Sequence, residues 1–179
     1  QPLCDIHEEL ADTNQLRKLT RRVISATRHD NTKIKKLRFD HWARRKLRKR
    51  SQAFFRAEPS DLEDLDSLHE FRLRGKDLRY AVELLSAAFP ARLREELYPV
   101  IKQLQDHLGT INDHAVASER FRRWRKECNK RQQRKRFQIQ RNREQEALDE
   151  AIWEFARWWT ARRSKWIQKR FRSLANGHS

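Results

Sequence analysis

Leu68-His69-Glu70-Phe71-Arg72-Leu73-Arg74-Gly75-Lys76-Asp77-Leu78-Arg79-Tyr80 is the stretch whose reading decides the fold. Wound at about 100° per residue, it carries Leu68, Phe71, Gly75, Leu78, Val82 and Leu85 along one stripe of a helix. The same winding gathers His69, Arg72, Lys76, Arg79, Tyr80 and Glu83 on a second face, about 120° from the first. One face is built to be buried and the other to meet water or a ligand. Gly75 lies on the apolar stripe, where a missing side chain points to a close helix crossing rather than a break.

The same periodicity continues in both directions. Upstream, Leu16, Leu19, Val23, Ala26, Ile34 and Leu37 recur mostly at steps of three and four, and the pattern runs on to Phe54 and Phe55. Within it Arg44, Arg45, Lys46, Arg48, Lys49 and Arg50 put six cations into seven positions, too many for any helix to bury. Glu58-Pro59-Ser60 breaks this helix, and Ser60 with Glu63 fits a capping box that starts the next one there or a turn later. Downstream, Leu93, Leu97, Val100, Leu104 and Leu108 form a third helical stretch, with Pro99 kinking it or opening a new helix. Gly109 reads as its C-cap, and Thr110 with Asp113 as the capping box of a fourth helix along Ala117, Phe121, Trp124 and Cys128. Residues 129–143 are polar and mostly basic, a turn or an exposed helical extension. A last helix carries Leu148, Ile152, Phe155, Trp159 and Trp166, with Trp153 and Trp158 beside that stripe.

The expected fold class is therefore all-α, a helical bundle of long antiparallel hairpins like a four-helix bundle. Three Gly and four Pro in 179 residues leave little to interrupt long helices. One domain over residues 1–179 is the expectation from length, and six Trp with nine Phe can support a thin core although only 37% of residues are hydrophobic.

Charge narrows the class of partner. Lys and Arg number 42 against 25 Asp and Glu, a net charge of +17. Such an excess repels itself and is best tolerated where a polyanion neutralises it. No run of about 18 apolar residues suits a membrane span, and no signal-type segment opens the chain. Cys4 and Cys128 lack metal-ligand spacing and read as reduced thiols of a cytoplasmic protein. The chain contains no Met, from which a start other than that of its gene is expected.

On the charged face, Arg offers a planar fork of donors, Lys a point charge, His a switchable donor and Tyr a hydroxyl, a set able to follow a chain of phosphates. The plain alternative is a solvated face. Against it stand the overall charge and the second cluster at Arg44 to Arg50. No nucleophile with its base, paired acids or metal ligand set can be assembled, so neither an enzyme nor a cofactor or metal is expected. Glu70 and Asp77 are read as partners of Arg74 or neighbouring cations. His107 and His114 are read on either side of a helix break. Gln105 and Asp113 are given structural roles, the latter capping a helix or pairing with a cation of the His69 helix.

The pattern His69-x-x-Arg72-x-x-x-Lys76-x-Leu78-Arg79-Tyr80, followed by Leu104-Gln105-Asp106-His107-Leu108-Gly109-x-x-Asn112-Asp113, resembles the CHAD domain, the conserved histidine α-helical domain. The resemblance covers about residues 16–125, and residues 129–179 add a polar connection and a C-terminal helix. It implies an all-helical fold around a basic cavity that binds inorganic polyphosphate, at polyphosphate granules. By motif matching it makes His69, Arg72, Lys76 and Arg79 the anion-binding candidates, with Tyr80 as a further one. Arg44, Arg45 and Arg48 are added on charge and helical spacing. A full domain of this family has an earlier His- and Arg-rich helix that Arg17 to Arg28 does not match, so the chain resembles mainly the second half. Its cavity would then be completed by missing sequence or by a second copy in a homodimer. Two other classes remain open: a nucleic-acid-binding helical protein using Trp124, Trp153, Trp158 and Trp166, and a helical interaction module for acidic protein partners.

Overall fold

The computed structural model describes residues 32–176, and these contain five α-helices and no strand. The chain divides into two compact units, Gln1–Arg38 and Phe39–Ser179, and the hydrophobic core lies within the second. The sequence features from Leu16 to Ala26, the basic run Arg17 to Arg28, and Cys4 lie outside the described residues. The helices are α1 (Thr32–Arg56), α2 (Leu65–Leu85), α3 (Tyr98–Glu127), α4 (Arg131–Trp158) and α5 (Ala161–Asn176). A short 3₁₀ turn at Ser86–Ala88 and a π turn at Leu93–Leu97 join α2 to α3.

α2 buries Leu68, Phe71, Gly75, Leu78, Val82 and Leu85, the stripe read from the sequence. It starts at the later of the two expected places, a turn after Ser60, but without the expected Ser60–Glu63 capping box. Asp61 Oδ1 accepts the Glu63 amide at 2.8 Å, which holds that segment in a turn, and side-chain competition of this kind suppresses a helix start. The cap is Asp64, whose Oδ1 accepts from the amides of Asp66 and Ser67. The Ser67 hydroxyl, followed by these amides, holds the Asp64 carboxyl below its ordinary range.

The expected break at Gly109 is absent. α3 runs unbroken from Tyr98 to Glu127, with Pro99 in its first turn. A glycine inside a helix costs about 1 kcal/mol, and here Leu104, Leu108 and Ile111, all buried on either side of it, outweigh that cost. Thr110 therefore caps nothing; its hydroxyl bonds back to the Asp106 carbonyl at 3.1 Å. Asp113 is exposed and pairs with no cation among the described residues. His107 and His114 share one helix, His107 lying 5.0 Å from the Trp158 ring and His114 bonding Glu144 at 2.7 Å.

The polar segment after Asn129 is helical from Arg131, as an extension of the last helix, but that helix is broken where the sequence showed no breaker. At the corner between α4 and α5, Thr160 Oγ1 accepts the Arg163 amide at 3.2 Å, and Glu58 accepts from both Trp159 Nε1 (2.9 Å) and Ser164 Oγ (2.8 Å). A carboxylate from the α1–α2 connection thus fixes the turn. The break resets the helical register, so Ile167, Phe171 and Leu174 point inward while Trp166, expected on the apolar stripe, is exposed. Phe54, Phe71, Phe155 and Trp159 form the aromatic centre of the core, with Phe54 and Phe71 stacked 4.6 Å apart.

Candidate anion-binding site

α2 and α3 lie side by side and run in opposite directions, as cross-helix contacts show. His69 Nδ1 meets Asn112 Oδ1 at 3.1 Å, the Gln105 amide donates to the Arg72 carbonyl at 3.3 Å, and the Tyr98 hydroxyl donates to Glu83 at 2.8 Å. The two motifs therefore face each other along one helix pair. Gly75 permits the close approach, since a Cβ there would collide with the Gln105 amide nitrogen. Gln105 has the structural role read for it.

The pair encloses a groove of about 300 Å³ whose walls include His69 and Arg72 from α2 and Asn112, Arg120 and Arg123 from α3. Leu65, Leu68, Ile111 and Val116 contribute to a largely apolar lining, and Asp66 and Glu119 also border it. With Asn112 Oδ1 as the acceptor, the His69 hydrogen sits on Nδ1, which leaves Nε2 to accept when neutral and to donate when protonated. Arg72 has no ion pair or side-chain hydrogen bond among the described residues, and neither has Lys76, one turn further along α2.

The other cations of α2 are held by carboxylates. Arg74 bonds Glu70 at 2.7 Å and lies 3.9 Å from Asp77, which also binds Arg50 at 3.0 Å. Glu70 and Asp77 are the partners expected. Arg79 bonds Glu83 at 2.8 Å. Desolvation works against its charge, yet Glu83 and Tyr98 outweigh it and hold the Arg79 guanidinium above its ordinary pKa. The Arg79 guanidinium also lies 4.6 Å from the ring of Tyr80, which is exposed.

The candidates on α1 are placed elsewhere. Arg44 Nη1 donates to the Leu174 carbonyl at 2.7 Å, and Arg48 Nη2 donates to Asn176 Oδ1 at 2.8 Å and to the Ala175 carbonyl at 3.4 Å. They satisfy the open carbonyls at the C-terminus of α5, where a cation is also favoured by the helix dipole. Arg45 is exposed, and none of the three lines the groove.

Arg120 and Arg123 were not among the sequence candidates. Asn112, Val116, Arg120 and Arg123 follow one another at steps of four, four and three, the signature of a single helical face. All four lie within the fourth helix expected from the sequence, but the helix end read at Gly109 left that helix with no fixed place beside α2. No group of three or more His, Cys, Asp or Glu among the described residues could hold a metal ion, and no described helix is long and apolar enough to cross a membrane.

An all-helical protein with a groove between two motif-bearing helices is the class that these features define. The chain belongs to the CHAD domain family, whose model matches residues 6–122, more than half of its length. That family is associated with polyphosphate binding in general. Comparison with curated proteins and with solved structures gives no match.

Proposed function

We propose that this chain holds inorganic polyphosphate along the groove face of α2, by charge and hydrogen bonding and with no reaction performed on it. The observation that carries the reading is the contrast among neighbouring cations: Arg72 and Lys76 have no partner among the described residues, while Arg74 and Arg79 are each paired with a carboxylate. An unpaired guanidinium keeps its donors for phosphate oxygens, and an ammonium one turn away meets the next anion along the polymer. Arg120 and Arg123 line the same groove as Arg72, further along α3. Cations at this spacing relieve the repulsion between successive phosphates. In this reading the protein works in the cytoplasm at polyphosphate granules, and a homodimer would join two such faces into one basic cavity.

A second reading, single-stranded nucleic acid, is favoured by Trp124 and Trp153, which are 41% and 57% exposed and could stack on bases. A competition titration near physiological ionic strength, about 0.15 M, separates the two. Labelled long-chain polyphosphate would be displaced by single-stranded nucleic acid, for the protein and for its Arg72→Ala/Lys76→Ala/Arg79→Ala variant. Polyphosphate preferred by at least about tenfold, about 1.4 kcal/mol, with that preference lost in the folded variant, supports the reading. Equal competition and unchanged binding by the variant would assign the α2 face to structure. Failure of both polymers to bind would favour an acidic protein partner.

A further inference from the structure

The positive charge of this chain is concentrated in one place. From Ser118 to Arg143, the end of α3, the connecting turn and the first half of α4, there are twelve Lys and Arg and only two Glu, a net +10 of the total +17. α3 ends at Glu127 and α4 begins at Arg131, so these residues form the tip of a helical hairpin. Arg131, Arg134, Lys135 and Arg136 are all exposed, and none has an ion pair among the described residues. Of the cations of the tip, only Arg122 forms an ion pair among the described residues, with Glu119 at 2.6 Å.

The local structure increases the cost of that charge. The first turn of α4 has no acidic residue, and Lys130 supplies no side-chain cap. The positive end of the α4 dipole and its open amides therefore lie among cations, the reverse of the favourable arrangement. The second half of α4 shows that acids are not scarce on this helix: Glu144, Glu146, Asp149, Glu150 and Glu154 follow with no cation among them before Arg157. The tip is also braced. Phe121, Trp124 and Phe137 meet across the hairpin, with ring centroids 5.6 to 6.4 Å apart. Self-repelling charge is thus held together by an aromatic clasp.

The tip is continuous with the groove. Arg120 and Arg123 belong to both, lining the groove beyond the level of His69 and opening the basic run. Gln105 marks the level of Arg72 on α3, and from there to Lys126 the helix rises about 30 Å.

We propose that the α3–α4 hairpin tip is a second polyanion contact, joined to the α2 groove through Arg120 and Arg123, so that long polyphosphate engages both while a short oligophosphate fills only the groove. This rests on the polyphosphate reading above and adds a site, and a dependence on polymer length, to it.

The test measures dissociation constants for tripolyphosphate and for long-chain polyphosphate across a salt series. It compares four proteins: wild type; the tip variant Arg131→Gln/Arg134→Gln/Lys135→Gln/Arg136→Gln; the groove variant Arg72→Gln/Lys76→Gln; and a charge-matched control, Arg162→Gln/Lys165→Gln/Lys169→Gln/Arg172→Gln, whose sites on α5 are also exposed. Gln keeps helix propensity close to that of Lys and Arg, and circular dichroism checks the fold. The tip variant is expected to lose about tenfold or more on the long polymer, with a shallower salt dependence, and to keep tripolyphosphate within about twofold. The groove variant loses both ligands, and the control loses neither. A tip variant that binds the long polymer like wild type overturns the proposal and leaves the groove reading standing. So does a control that falls as far as the tip variant, because net charge rather than location would then be responsible. Wild-type protein that binds neither ligand removes the groove reading and the tip proposal together.

Discussion

Two basic clusters stand out in the sequence, Arg44 to Arg50 on α1 and His69 to Arg79 on α2, and the structure uses them differently. On α1, Arg44 and Arg48 close the end of α5 and Arg50 reaches Asp77 on α2. On α2, Arg72 at the groove and Lys76 one turn beyond it are without partners among the described residues. The α1 cluster is the denser, six cations in seven positions, yet its two candidate arginines with partners hold helix carbonyls. Density of charge therefore does not distinguish a binding face from a structural one. What distinguishes them is whether each donor already has an acceptor inside the fold.

That contrast can be broken by paired substitutions. The largest effect is expected for Arg72→Ala/Lys76→Ala. Removing two charge-assisted contacts should weaken polyphosphate binding by about a hundredfold, near 2.7 kcal/mol, with the thermal midpoint nearly unchanged. Arg44→Ala/Arg48→Ala should do the reverse. Leu174 and Ala175 lose donors to their carbonyls, a stability loss of about 2 kcal/mol is expected by denaturant titration, and affinity stays within about threefold. If the α1 variant kept its stability and lost polyphosphate, the two clusters would have to exchange roles.

The fold was legible where burial follows a period and illegible where a side chain reached across the chain. The α2 stripe, the close crossing at Gly75 and the pairing of Glu70 with Arg74 all follow from residues a turn or two apart. The helix ends did not. Gly109 is helical because its neighbours are buried on both sides, and the corner at Thr160 is held by Glu58, about a hundred residues earlier in the chain. The site was half legible for the same reason. Helical spacing and family resemblance singled out His69, Arg72 and Lys76. The i,i+4 spacing of Arg79 and Glu83 was as legible as that of Glu70 and Arg74, although both were read onto the binding face. Nothing local could say that Tyr98 joins that pair. Nor could it say that Arg44 serves the end of a helix 130 residues away. Arg120 and Arg123 were missed because the helix break assumed at Gly109 detached their helix from the stretch that packs along α2.

Arg79 lies between the two cases and sharpens the comparison. It shares the motif face, yet Glu83 bonds it at 2.8 Å and raises its pKa, so its donors are only partly available. Arg79→Ala should weaken polyphosphate binding by about threefold, close to 0.7 kcal/mol and far less than Arg72→Ala. Glu83→Gln removes a negative charge and frees the guanidinium, so it should strengthen binding by a similar factor. A loss of affinity in Glu83→Gln would mean that the pair holds Arg79 in its binding position.

The smallest effect tests whether the two motifs touch for structural reasons alone. Gly75→Ala places a methyl where the Gln105 amide now lies, and that amide is the free end of a flexible side chain. The substitution gains about 1 kcal/mol of helix propensity and loses one hydrogen bond to the Arg72 carbonyl, also about 1 kcal/mol. The two should nearly cancel, leaving the unfolding midpoint within about 0.5 kcal/mol of wild type and polyphosphate affinity unchanged. A loss above about 2 kcal/mol would mean that α2 and α3 cannot part, and that the approach of the helices, rather than the hydrogen bond, is what Gly75 secures. Lost affinity at preserved stability would instead assign Gln105 to the binding face, because only a ligand contact would respond to displacement of its amide alone.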